Sequence, residues 1–328
     1  MCMASFNDIS NDLLPQPEMI AQAKVQSKSR KLIAEIGIFF LIFIIYVIIQ
    51  GIAAGFLFAL LQTGFIKREA FETVFDIFIL FITIIIIILV LIYCRFIEKR
   101  KLQTMGFERT GMFSEYLIGL AIGFLMFAAS VLICVVTGTL VFQGVASTIS
   151  WSLLLLFFFG YVIQGMSEEV LCRSYLMVSI ARRQTIPLAI LVSSATFSAL
   201  HFANPNTSAL AFVNLFLFGV FAAVYFVKRG DIWAIAAIHS SWNFVQGNVF
   251  GIAVSGKASE VTIFRFVSMS QHAFINGGDF GLEGGIAVTI VLVVSILLVL
   301  MTKSRKTHIN HLDNFSPPAF ESQVLPPF

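Results

Sequence analysis

Residues 151–180 read WSLLLLFFFGYVIQGMSEEVLCRSYLMVSI, an apolar run from Trp151 to Ile180 that is broken by Glu168, Glu169 and Arg173. A run of about 20 helical residues crosses the roughly 30 Å of bilayer hydrocarbon, and a helix satisfies every backbone group inside its own segment. Each charge near the bilayer centre costs roughly 2.5 to 3.5 kcal/mol. Charges kept in such a place must be paired, or used.

Outward from this stretch the same kind of run recurs. Apolar segments lie near Leu32–Leu61, Val74–Cys94, Tyr116–Phe142, Trp151–Ile180, Ile186–Ala203, Ala209–Val227, Ile232–Val254 and Ile286–Met301. They predict an all-α, polytopic membrane protein with about eight transmembrane helices. With 58% apolar residues and only 12% charged residues, the chain cannot cover itself with a water-soluble surface. The net charge of +3 resides at the ends of apolar runs, not on one basic face, so no nucleic-acid partner is expected. The cysteines Cys2, Cys94, Cys134 and Cys172 are scattered, without metal-ligand or disulfide-scaffold spacing.

Lysine and arginine placement sets the expected orientation. Basic residues precede the first span (Lys24, Lys28, Arg30, Lys31) and follow the second (Arg95, Lys99, Arg100, Lys101, Arg109), the fourth (Arg182, Arg183), the sixth (Lys228, Arg229) and the eighth (Lys303, Arg305, Lys306). The other side holds Lys67, Arg68, Lys257 and Arg265. Both termini are therefore expected to be cytoplasmic, in a multi-pass protein of a cell membrane. The expected organisation is a cytoplasmic N-terminal segment over 1–31, a transmembrane domain over 32–302 and a disordered cytoplasmic tail over 303–328. The first thirty residues read as polar and mobile, with a basic patch suited to anionic headgroups.

Three polar constellations carry the chemistry. On the fourth span Glu169 and Arg173 are one helical turn apart and share a face, so they can form an ion pair. Glu168 is turned about 100° away and is left as an un-neutralised, proton-accepting carboxylate. The fifth span places Phe197 and His201 on one face, and the seventh does the same with His239 and Asn243. A carboxylate and an imidazole around one water can generate a nucleophile, while histidine and asparagine donors can stabilise an oxyanion. The chain has no GxSxG with a following triad, no HExxH and no paired aspartates in its spans. Water activation by glutamate is what remains.

In these motifs the chain resembles the CPBP intramembrane proteases, which include the type II CAAX prenyl endopeptidases and the Abi, bacteriocin-immunity proteins. The family pattern EExxxR, FxxxH and HxxxN on successive helices is matched by Glu168, Glu169 and Arg173, by Phe197 and His201, and by His239 and Asn243, within about 151–254. The resemblance implies an intramembrane endopeptidase in which Glu168, helped by His201, activates water. His239 and Asn243 would bind the oxyanion, and Glu169 and Arg173 would hold and polarise the site, with Phe197 as a support. It implies a membrane-associated peptide or protein substrate, and the Ile- and Phe-rich spans with short loops and no long cytoplasmic domain lead to the expectation of a bacterial membrane. No cofactor is required, although Glu168, His201 and His239 are a conceivable zinc set. Two other classes compete: a non-catalytic immunity or peptide-binding membrane protein, and a proton-coupled transporter using the same groups as a relay.

Overall fold

A computed structural model describes residues 14, 16–26 and 31–305 of the chain. Of the tail expected to be disordered over 303–328, residues 306–328 lie outside the described residues, as do Lys28 and Arg30 of the N-terminal basic patch, whereas Arg305 is bound to the bundle through the Lys228 carbonyl and Glu115. The elements in chain order are α1 (Glu18–Gln26), α2 (Leu32–Gln62), α3 (Arg68–Ile82), α4 (Ile84–Ile92), α5 (Met112–Val136), β1 (Leu140–Val145), α6 (Trp151–Glu169), α7 (Val178–Ala181), α8 (Ile186–Leu200), α9 (Ala209–Arg229), α10 (Trp233–Phe244), β2 (Phe264–Ser268), α11 (Ala273–Asn276) and α12 (Ile286–Met301). π-helical turns extend α4 over Tyr93–Ile97, join α6 to α7 over Val170–Met177 and extend α10 over Val245–Val249.

The protein is an all-α, multi-pass membrane protein. Among the described residues five continuous helices are long and apolar enough to cross a bilayer: Leu32–Gln62, Arg68–Ile97, Met112–Val136, Trp151–Ala181 and Ala209–Arg229. Of the other three expected spans, α8 and α12 are apolar but shorter, and α10 with its π turn ends at Val249. Large apolar side chains such as Ile52, Phe56 and Leu125 stand exposed on the outer helices, as groups facing hydrocarbon do. Burial grades inward, from 22% of the most apolar window of α2 to 67% of that of α9. The centre of the bundle is therefore α9 with α10, whose residues Ala234 to Asn243 are all buried.

Close backbone approach seats α10. A Cβ at Gly119 or Gly123 of α5 would collide with the carbonyl oxygens of Ala234 and Ile238, and one at Gly165 of α6 would press on Ser240. Small residues one turn apart are what lets two membrane helices touch along their backbones. Local signals set the ends of the neighbouring helices. Thr185 Oγ1 caps α8 and Ser208 Oγ caps α9, while Gly230, at φ 73°, ends α9 in the left-handed region.

Two readings are corrected by the fold. The third span stops at Val136 instead of continuing to Phe142. Gly138 (φ 68°) lets the Thr139 and Gly138 N–H groups return to Cys134 and Val135 carbonyls, which closes the helix. Residues 140–145 then pair antiparallel with Phe264–Ser268 in a two-stranded ribbon. The N-terminal segment also contains order, because Met19, Ile20 and Ala23 of α1 are buried in the core.

The basic end of the bundle is held by buried charge. Glu35 Oε1 accepts from Arg182 (2.9 Å) and Arg183 (2.8 Å), and Glu98 accepts from Arg182 (2.8 Å) and Arg100 (3.3 Å). Arg100 also donates to the carbonyls of Thr104 and Ser174. A second cluster joins Glu115 to Arg229 and Arg305, and Arg305 to Asp231. In the first cluster, where Glu35, Glu98, Arg100 and Arg182 are all buried, removing one partner leaves an uncompensated buried charge, which typically costs about 3–5 kcal/mol.

Candidate active site

The polar residues singled out from α6, α8 and α10 meet around a cavity of about 290 Å³ lined by Gln164, Glu168, Phe197, His201, His239, Trp242 and Asn243. The first span and the continuous α3–α4 helix close its flank with Phe43, Tyr46, Leu80 and Thr83. Its far end is formed by Asn204, Ser255, Lys257 and Glu283.

Glu169 and Arg173 form a fully buried ion pair, with Arg173 Nε 3.1 Å from Glu169 Oε2 and Nη1 3.2 Å from Oε1. Burying both charges costs several kcal/mol per ion unless the remaining hydrogen-bonding capacity is used. Part of it is used: Arg173 Nη2 donates to the Gly219 carbonyl at 3.1 Å, and its guanidinium lies 4.8 Å from the centre of the Phe197 ring. Phe197 thus provides the aromatic floor under the arginine. It also approaches His201 and His239, at ring-centre separations of 4.9 and 5.9 Å.

The two histidines are oriented by their Nδ1 atoms. His201 Nδ1 lies 2.9 Å from the Phe197 carbonyl, one turn back. A carbonyl only accepts, so Nδ1 carries the hydrogen and, in the neutral ring, Nε2 keeps its lone pair. His239 Nδ1 lies 2.8 Å from Glu169 Oε1. Its Nε2 stands 3.7 Å from Glu168 Oε2. The resulting order Arg173, Glu169, His239, Glu168 links a sealed ion pair to a carboxylate on the cavity wall.

Glu168 is held from the other side by a residue that the sequence reading missed. Gln164 Nε2 donates to Glu168 Oε1 at 2.5 Å, and Asn243 Nδ2 donates to Gln164 Oε1 at 3.0 Å. The signal was present, since Gln164 is polar, lies in an apolar helix and falls one turn before Glu168 on the same face. Glu168 Oε2 is buried and accepts no hydrogen bond from the described residues. Tyr46 on α2 also lies within electrostatic range of Glu168, although no local pattern marks it.

Among the described residues no group of three or more His, Cys, Asp or Glu side chains is arranged to hold an ion. Glu168, His201 and His239 are thus not arranged as a ligand set among the described residues.

The arrangement offers a free carboxylate oxygen, an imidazole lone pair and an asparagine amide around one cavity. These are groups able to accept a proton and to stabilise a developing oxyanion. No curated protein and no solved structure matched the chain. Residues 150–245 match the family model described as Rce1-like, type II CAAX prenyl endopeptidase Rce1-like, and every motif residue named above falls within that match. Over this segment, somewhat under a third of its length, the chain is similar to the type II CAAX prenyl endopeptidases.

Proposed function

We propose that the protein is an intramembrane endopeptidase whose nucleophile is a water held between Glu168 Oε2 and a histidine. The observation that carries this reading is the placement of that oxygen: buried, without a donor among the described residues, on the cavity wall and 3.7 Å from His239 Nε2.

Glu168, with the His201 Nε2 lone pair as its helper, takes a proton from the water as its oxygen attacks the scissile carbonyl carbon. The oxyanion is met by an Asn243 N–H and, in its doubly protonated form, by His239 Nε2–H. The proton held by Glu168 then passes to the amide nitrogen as the C–N bond breaks, releasing an amine and a carboxylic acid, which ionises by giving its proton to the amine. Glu169 and Arg173 act through His239, which they orient. A positioned general base contributes about 10²–10⁴-fold and one oxyanion donor about 10²–10³-fold.

The bias of basic residues supports an orientation with both termini cytoplasmic, in a bacterial cell membrane. The substrate in this reading is a membrane-associated peptide or protein, and its scissile bond enters the cavity.

The test is cleavage of a mixed peptide pool by the purified full chain in detergent, compared with Glu168→Gln and His201→Ala. Loss of turnover in both variants, with their folds intact, supports the assignment; equal turnover removes it. A chelator added to the wild-type assay is expected to leave cleavage unchanged. Loss of cleavage that is restored by zinc would instead require a metal-based mechanism.

A further inference from the structure

Taking the cavity as the site of peptide hydrolysis, we propose that it is served from the face of the membrane opposite the basic loops. The substrate is then a peptide segment on the non-cytoplasmic side, not a cytoplasmic C-terminal tail.

The two ends of the site differ. Towards the basic end, every residue from Val170 to Ala181 is buried. Beneath Glu168 this segment is tied into the charge network: Ser174 Oγ donates to the Met105 carbonyl at 2.6 Å, and Tyr175 Oη lies 3.2 Å from Glu35 Oε2. Arg182 closes the same layer through Glu35 and Glu98. No residue of the loops that follow α4, α7 or α9 lines the cavity. A peptide arriving from this side would have to break a buried ion-pair network.

Towards the other end, the cavity wall continues through Asn204 to the turn Val254–Lys257 and to Glu283. Asn204 and Ser255 are partly exposed and Lys257 is exposed. The α8 helix has 15 residues, which rise about 22 Å from the basic end, so the turn after His201 lies in the far leaflet. The positive-inside rule makes that leaflet the outer one.

This rim is a built structure. Ser255 sits at φ 46° and Gly256 at φ 86°, a left-handed pair that a non-glycine residue adopts only when its surroundings hold it. They do so here. Glu283 Oε2 accepts from both the N–H and the Oγ of Ser255, each at 2.8 Å, and the Gly256 N–H donates to the Phe280 carbonyl at 2.9 Å. Val254 and Lys257 close the turn across a 2.8 Å backbone bond. Gly256 also packs so tightly on the Pro205 carbonyl that a Cβ there would collide with it. The mouth is thereby kept open between two loops locked to each other.

The experiment labels single cysteines in intact bacterial cells expressing the full chain with Cys2→Ser; Cys94, Cys134 and Cys172 are buried. A membrane-impermeant maleimide is expected to label Asn204→Cys and Lys257→Cys without permeabilisation, and Arg109→Cys only after it. In parallel, wild type in right-side-out and inverted vesicles meets a mixed peptide pool added outside. Cleavage is expected in the right-side-out vesicles alone, and Glu168→Gln is expected to abolish it. Labelling of Asn204→Cys only after permeabilisation overturns the proposal, as does cleavage confined to inverted vesicles. If neither preparation cleaves, the hydrolase reading fails, and the labelling still decides which face the cavity serves.

Discussion

His239 Nδ1 meets Glu169 Oε1 at 2.8 Å, and this one contact couples the ion pair of α6 to the imidazole of α10. Glu169 thus has two duties, as counter-ion to Arg173 and as orienter of His239, whereas Glu168, its neighbour in sequence, has neither. Substitution should separate them. Glu169→Gln leaves Arg173 buried without its charge partner and is expected to lower stability by about 3–5 kcal/mol as well as to abolish cleavage. Glu168→Gln is expected to abolish cleavage with an unfolding temperature near that of wild type. Thermal unfolding in detergent, followed by intrinsic fluorescence, checks both; equal destabilisation by the two variants would contradict the division of labour.

Gln164 holds the carboxylate and the amide of the site together. Hydrogen bonds to charged groups are worth about 1.5–3 kcal/mol, so Gln164→Leu is expected to lower kcat about tenfold to a hundredfold, with KM little changed. Gln164→Glu, which sets a second negative charge against Glu168, should fare worse. Steady-state kinetics of the two variants decide this, and an unchanged kcat in Gln164→Leu would show that Glu168 is positioned by something else.

The carbonyls of Ala234 and Ile238 lie where a Cβ at Gly119 or Gly123 would go. Gly123→Val is expected to push α10 away from α5, carrying His239 and Asn243 with it. Overpacking of this kind costs typically about 1–3 kcal/mol. A lowered unfolding temperature together with lost cleavage is the expected result, while Gly51→Val, at a position with nothing within 4 Å, should leave both intact.

Asp231 lies between α9 and α10, and burial, together with neighbouring Glu115, pushes its carboxyl up from 3.8 to about 6. Between those values the folded protein binds the proton more tightly than the unfolded chain does. The stabilising contribution is therefore full below about pH 4 and falls away as the pH rises through about 6. Asp231→Asn retains an acceptor for the Trp233 N–H, which Asp231 Oδ1 now accepts at 3.1 Å, and removes the charge. At about pH 7.5 it is expected to raise stability by on the order of 1–3 kcal/mol, and the pH dependence of unfolding between about 4 and 6.5 should flatten. An unchanged pH profile would contradict the assignment.

The site's own residues were legible because charge inside a hydrocarbon-length helix is costly enough to be conspicuous, and the spacing of Glu169 with Arg173 and of His239 with Asn243 fixes shared faces. Gln164 was less visible, since an uncharged amide in an apolar helix carries a weaker signal. Tyr46, Lys257 and Glu283 come from segments far away in sequence, and only tertiary packing brings them to the cavity. The apolar residues of β1 read as the end of a span because the break is a single residue, Gly138. The paired glycines of α5 carry the small-residue spacing of a helix contact, but spacing alone does not name the partner helix. The π turn after Glu169 has no periodic signature at all.

The central claim is that Glu168 activates water without being needed for binding. The most direct measurement compares wild type and Glu168→Gln for single-turnover cleavage of a bound peptide and, in the same samples, for peptide affinity. The account predicts that the glutamine variant binds the peptide as wild type does and loses at least about 10²-fold in cleavage rate. Cleavage at the wild-type rate by a folded Glu168→Gln protein would contradict it.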